Sequence, residues 1–320
     1  MLIFWLRKLP LGVLLFLCMP LIIFSSLRGT SGKDSYVYLF RFYSFDSEQM
    51  AVSLLSEPLL SFLIYSSRLI SDSHVVFYAL HATLVCFLFS MALKKYDKLR
   101  LYLVSIGPMF LIDGLTNGMR VTLAYHFLLV AVVYRQFLFL APMAFFAHIS
   151  SLISIVVIYI ANASVMRFSG KVMVYFLAFL ALGLCAQYLD VIIALDPRLL
   201  SKIHSYSGNA LSTSYSGLAD LSVLFVLVTS LSFRQPQLMR FFGYALLAGL
   251  LCLGFYIFIQ FSLSGIRILK MVIVGIFLSQ AVISNRSKIA FAGFLFIGVL
   301  YSLNFLRQIY FTAGSLPYPG

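Results

Sequence analysis

The residues of this 320-residue sequence that could do chemistry are mainly cations, histidines and carboxylates set at the ends of apolar runs. Arg120 follows Gly118 and Met119 where one such run begins. A cation at that boundary needs an anion or water as partner. Two readings stay open: an ion pair with Asp113, or bidentate contact with phosphate oxygens. His148, between Ala147 and Ile149, is either a buried neutral imidazole bonded to a carbonyl or a base for a hydroxyl, since its unperturbed pKa is about 6.5. His204, in a polar stretch, is a rival base or a solvated side chain. Arg198 and Lys202 share a face if their segment is helical, as a cationic patch or a solvated one. Arg267 and Lys270 snorkel to an interface or contact a phosphate. Asp34 and Glu57 accept from sugar hydroxyls or pair with loop cations. Tyr36, Tyr38, Tyr43, Tyr206 and Tyr215 suit stacking on sugar rings and equally suit a membrane interface. With Arg28, the set suits an anionic lipid substrate.

Other chemistries lack their motifs. There is no Walker A loop, no GxGxxG before a helix, no HExxH and no DxD pair to hold a metal with a nucleotide sugar. No metal site and no cofactor is therefore expected. Cys18, Cys86, Cys185 and Cys252 all lie in apolar segments without metal-ligand spacing and read as packing residues.

The elements that must position these groups are membrane helices. Apolar residues make up 62% of the chain and charged residues 10%, with mean hydropathy +1.01, well below the roughly 25% charge of soluble domains. The net charge of +13 is scattered in twos and threes between apolar runs. That pattern fits topology and anionic lipid and gives no reason to expect nucleic acid. The expectation is one integral membrane domain over 1–320, an all-α polytopic bundle of about ten or eleven crossings.

Arg7 and Lys8 precede an uncleaved first helix from Leu9 to about Leu27, with its N-terminus in the cytoplasm. Residues 28–57 form a first outer loop, and residues 58–70, too few to span about 30 Å, form an interfacial or re-entrant helix. A span at 74–93 then delivers Lys94, Lys95, Lys98 and Arg100 to the inside. Spans at 101–117 and 121–135 follow, the latter ending inside at Arg135. The stretch 136–162 reads as two short helices meeting near His148. Spans at 172–195, 218–233, 241–263, 267–284 and 289–306 complete the chain, with a second outer loop at 196–217.

Four runs carry a resemblance spread over most of the chain. They are Arg28-Gly29 with Asp34-Ser35-Tyr36-Val37-Tyr38; Ser56-Glu57-Pro58-Leu59-Leu60; Asn117-Gly118-Met119-Arg120 with Leu123-Ala124; and Phe145-Phe146-Ala147-His148-Ile149-Ser150-Ser151-Leu152-Ile153. The pattern resembles the EpsG-like branch of the Wzy-type polysaccharide (O-antigen) polymerases, bacterial membrane enzymes related in architecture to O-antigen ligases and other GT-C glycosyltransferases. The resemblance implies a GT-C-like bundle in the bacterial inner membrane, with its active site and two loops facing the periplasm.

It also implies a metal-independent reaction of polysaccharide biosynthesis. A glycan on undecaprenyl pyrophosphate passes to the non-reducing-end hydroxyl of another lipid-linked repeat unit. On this likeness His148 is the base, with His204 in reserve. Arg120 and Arg267 hold the pyrophosphate, with Arg198 and Lys202 as further cations. Arg28, Asp34, Tyr38, Glu57 and Tyr206 contact the glycan. The implied partners are lipid-linked donor and acceptor, membrane lipids and a chain-length regulator.

Two other classes compete. A flippase for lipid-linked oligosaccharides would use a broken helix with Asp113, Asp190 and Asp220 along a pathway open alternately to each face. A membrane acyltransferase would need a carboxylate beside its histidine, and no such pair is evident around His148 in the sequence.

Overall fold

The computed structural model describes residues 9–29, 35–44, 57–95, 118–148 and 150–162, together with single positions at 111, 115, 271, 274, 275, 278, 296, 299, 300, 302 and 303. Two compact units divide the chain, one of residues 1–155 with 298–320 and one of residues 156–297. Among the described residues the structure is all-helical: α1 (Leu11–Leu17), α2 (Met19–Ser26), α3 (Ser35–Tyr43), α4 (Pro58–Ile70), α5 (His74–Lys95), α6 (Met119–Tyr134), α7 (Phe137–Ala147) and α8 (Ser151–Asn162). The expected spans at 101–117, 172–195, 218–233 and 241–263 and the loop at 196–217 lie outside the described residues, apart from positions 111 and 115. The last two expected spans are represented by isolated helical positions, such as Met271 and Ser302.

The first expected helix is present in two pieces. Pro20 lies in the first turn of α2 and has no N–H to donate, and the chain breaks at Cys18 between α1 and α2. Ile22 N–H still reaches the Cys18 carbonyl at 3.0 Å, so the pieces stay stacked end to end. Cys18 and Cys86 are free thiols.

At 22 residues and about 33 Å, α5 is long and apolar enough to cross a bilayer. It is the hub of the first unit, packing against α1, α2, α4 and α6. Exposed large apolar side chains, among them Phe16, Leu27, Leu69, Leu138 and Phe139, form the kind of apolar surface that lipid covers and water does not.

Hydrogen bonds fasten α5 to α6 at both ends. His81 Nε2 on α5 donates to the Met119 carbonyl at 3.1 Å. At the far end Tyr134 donates to the Met91 carbonyl at 3.2 Å, and the Lys95 ammonium sits 4.2 Å from the centre of the Tyr134 ring. The two helices therefore run parallel, which brings Lys94, Lys95 and Arg135 to one end and Arg120 to the other.

Arg135 turns the chain back. It takes left-handed backbone angles, φ 58° and ψ 26°. Gln136 N–H bonds the Ala131 carbonyl at 3.0 Å and Arg135 N–H bonds the Val132 carbonyl at 3.3 Å, the two bonds of a Schellman motif. α7 then packs along α6 and α4 and carries His148 back to the Arg120 end. The expected break at His148 is observed, with φ −161° and ψ 117°. Its N–H caps α7 on Ala144 and its carbonyl accepts from Ser151 at the start of α8.

A left-handed residue bearing a Cβ costs about 1–2 kcal/mol, more when β-branched. Arg135 already bears that cost, so Arg135→Val should destabilise the protein only by the added penalty of β-branching, about 1 kcal/mol, in thermal unfolding in detergent, while Arg135→Gly should leave it as stable or more so.

Candidate functional site

Glu57 is placed by its neighbour. Proline at position 58 disfavours helical angles at residue 57 and is pre-organised for the first turn that follows. The helix starts at Pro58 with Glu57 as its N-cap, φ −148° and ψ 66°. The carboxylate makes no capping bond and points into the bundle, where only 8% of it is exposed.

Two cations meet it there. Arg120, in the first turn of α6, donates from Nη1 to Oε1, and Arg41, in the last turn of α3, donates from Nη1 to Oε2. Arg120 is held further by Tyr38 on α3, whose hydroxyl accepts from Nε at 3.3 Å and whose ring centre lies 5.6 Å from the guanidinium carbon. His148 completes the group, with Nδ1 3.9 Å from Glu57 Oε1. That separation suits an ion pair with an imidazolium and is too long for a hydrogen bond.

The electrostatics follow from this arrangement. Burial works against ionisation of Glu57, but the Arg120 and Arg41 guanidiniums outweigh it and hold the carboxyl below its ordinary value of 4.5. With Glu57 ionised, the cluster carries a net charge of +1 while His148 is neutral. Both carboxylate oxygens accept from guanidiniums, and the charge left uncompensated in the cluster is positive. Among the described residues, no group of three or more His, Cys, Asp and Glu comes together to hold a metal ion.

The first turn of α6 is braced from behind. Arg28, 2% exposed, donates from Nη1 to the Leu115 carbonyl and from Nη2 to Met119 Sδ at 2.7 Å. Its guanidinium carbon lies 4.1 Å from the centre of the Tyr78 ring. Ser25 Oγ donates to the same Leu115 carbonyl at 3.0 Å. α2, α5 and α6 are thus tied together one residue before Arg120.

Of the residues singled out in the sequence, Arg120, His148, Glu57 and Tyr38 come together, and Arg28 lies buried behind them. Asp34, Arg198, Lys202, His204, Tyr206 and Arg267 lie outside the described residues, as does Asp113. The described anion beside Arg120 is Glu57.

The sequence shows no carboxylate beside His148, but the fold brings Glu57 to within 3.9 Å. The segment 28–57, expected as an outer loop, contains the helix Ser35–Tyr43, which supplies Arg41, a site residue that the sequence does not single out. The signal was available: Ser35, Tyr38 and Phe42 recur at helical spacing and are buried, while Tyr36, Phe40 and Tyr43 face outward.

The lowered Glu57 pKa has a testable consequence. A depressed carboxylate contributes stability that is fully present above its unfolded value and is lost as pH falls through its folded value. Glu57→Gln should lower stability by about 2–3 kcal/mol at neutral pH. The gap from the unmodified protein should close only below pH 4.5, as read by thermal unfolding across a pH series.

No curated protein and no solved structure matches the chain, whereas the model of the EpsG family matches residues 12–319. The buried carboxylate with its cations and histidine, in a helical membrane chain, thus belongs to a member of the EpsG family, polysaccharide polymerase-like membrane proteins.

Proposed function

We propose that this protein is a Wzy-type polysaccharide polymerase of the bacterial inner membrane, metal-independent and base-assisted, with its site on the periplasmic face. It transfers a glycan from undecaprenyl pyrophosphate to the non-reducing-end hydroxyl of another lipid-linked repeat unit. The observation that carries this reading is the convergence of Arg41, Arg120 and His148 on Glu57. Expelling a pyrophosphate requires cations at the leaving group and a base at the acceptor, held within a few ångströms of each other.

In this mechanism the acceptor hydroxyl gives its proton to His148 Nε2 as its oxygen bonds to the anomeric carbon. The bond from that carbon to the phosphate oxygen breaks, and its electron pair leaves with the pyrophosphate. Arg120 and Arg41 stabilise the leaving charge. Glu57 orients the imidazole from the Nδ1 side and stabilises the imidazolium. Arg267, Arg198 and Lys202 extend the cationic surface, His204 is the reserve base, and Asp34 and Tyr206 contact the glycan. Arg28 and Tyr38, both buried, support the site from behind. The donor, the acceptor and a chain-length regulator are the partners of this reaction.

A carboxylate beside histidine also suits acyl transfer. Two guanidiniums on that carboxylate favour the reading with a diphosphate leaving group, and family membership favours polysaccharide synthesis. A flippase would expose the cluster alternately to both faces. The polymerase reading predicts that cysteines introduced beside Arg120 and His148 label only from outside.

Deleting the gene should abolish the surface polymer ladder on gels while a single capped repeat unit persists. Complementation at matched expression should lower polymer yield by about 100-fold or more with His148→Ala, the usual scale for a general base, and by about 100-fold with Arg120→Ala, the scale for losing a donor to developing charge. An unchanged ladder in the deletion strain would sink the polymerase reading; loss of the single-unit product as well would point to transport or ligation.

A further inference from the structure

The three partners of Glu57 are held unequally. Arg120 is fixed twice, by Glu57 and by the Tyr38 hydroxyl, and 23% of its side chain is exposed. Arg41 rests on Glu57 alone among the described residues and is more open, at 35%. His148 stands 3.9 Å from the oxygen that Arg120 occupies, within reach of Glu57 but without a hydrogen bond to it. A cation bound once, a cation bound twice and an imidazole at 3.9 Å meet at one carboxylate that is almost wholly out of water.

We propose that Arg41 is a counter-ion displaced by substrate: a diphosphate draws its guanidinium away from Glu57 Oε2, and the vacated carboxylate turns to His148 Nδ1. This rests on the polymerase reading, in which the diphosphate is the donor's leaving group. Among the described residues, three charged or titratable groups face Glu57, one each from α3, α6 and the α7–α8 junction, with the Tyr38 hydroxyl behind Arg120.

While both guanidiniums are in place, the cluster around Glu57 is net positive and disfavours a proton on His148. Once Arg41 moves to phosphate, Glu57 and Arg120 form a neutral pair. Glu57 can then accept from Nδ1–H, and Nε2 becomes the stronger base. The base strengthens only once the donor is seated, so proton acceptance is tied to the presence of the leaving group. Arg41 is thus a positioning residue for the base as well as a ligand for phosphate.

Histidine-labelled protein in nanodiscs, with the His148 resonance assigned through His148→Ala, tests this using inorganic pyrophosphate as the probe. In the unmodified protein, pyrophosphate should raise the His148 titration midpoint by about one pH unit, a tenfold rise in proton affinity. It should also bring out a downfield Nδ1–H signal. Arg41→Gln should show both features without pyrophosphate, Arg41→Lys should restore the dependence on pyrophosphate, and Glu57→Gln should lack the downfield signal under both conditions.

The proposal is overturned if saturating pyrophosphate leaves His148 unchanged, or if Arg41→Gln titrates like the unmodified protein. An equal pyrophosphate-induced rise with Glu57→Gln would also overturn it, because the anion would then act on His148 directly. The polymer ladder reports separately on the reaction. An intact ladder in the deletion strain with the expected spectra removes the polymerase and keeps the exchange; a lost ladder with unresponsive spectra does the reverse.

Discussion

Glu57 keeps its charge with 8% of its side chain exposed because a guanidinium donates to each of its oxygens. Withdrawing a carboxylate from water costs several kcal/mol, and only close cations with good geometry return it. The same holds for Arg120, which begins a helix that continues into an apolar interior and needs an anion at that boundary. Each charge is tolerable because of the other. Three segments distant in the sequence, α3, the start of α4 and the start of α6, are therefore fixed relative to one another, and the α7–α8 junction comes to the same point.

The packing around this ion cluster keeps the first turn of α6 from moving. Met119 is gripped through its sulfur by Arg28 and through its carbonyl by His81, so Arg120 projects from a braced turn. α3 is attached through its buried face: Phe42 stacks on Phe77 at 5.9 Å, Tyr43 bonds His74 Nδ1 at 2.6 Å, and Tyr78 donates to the Ser35 carbonyl at 3.4 Å.

The sequence makes the parts of this arrangement legible where the signal is local. Pro58 marks the start of α4, whose bounds match the short helix expected at 58–70. The polar run after Phe146 marks the break at His148, and the clusters at Lys94, Lys95 and Arg135 mark a common helix end. Length and hydropathy single out α5. Signals that depend on the partner are not legible in this way. Arg41 sits in a short amphipathic stretch inside a polar segment, where composition suggests loop. The pairing of Glu57 with Arg120 and His148 is set by how helices cross, which no single window of sequence contains. Pro20 is visible in the sequence as a helix disturbance, but whether it ends the helix or only kinks it depends on how the two pieces pack on α5.

The account depends most on the coupling between Glu57 and Arg120, and a double-mutant cycle measures it without invoking any reaction. Thermal unfolding in nanodiscs would compare Glu57→Gln, Arg120→Gln and the double variant with the unmodified protein. If the two charges are mutual partners, the double variant is less destabilised than the sum of the singles by more than about 1 kcal/mol. Simple additivity would contradict the account, because each side chain would then be stabilised by something other than its partner.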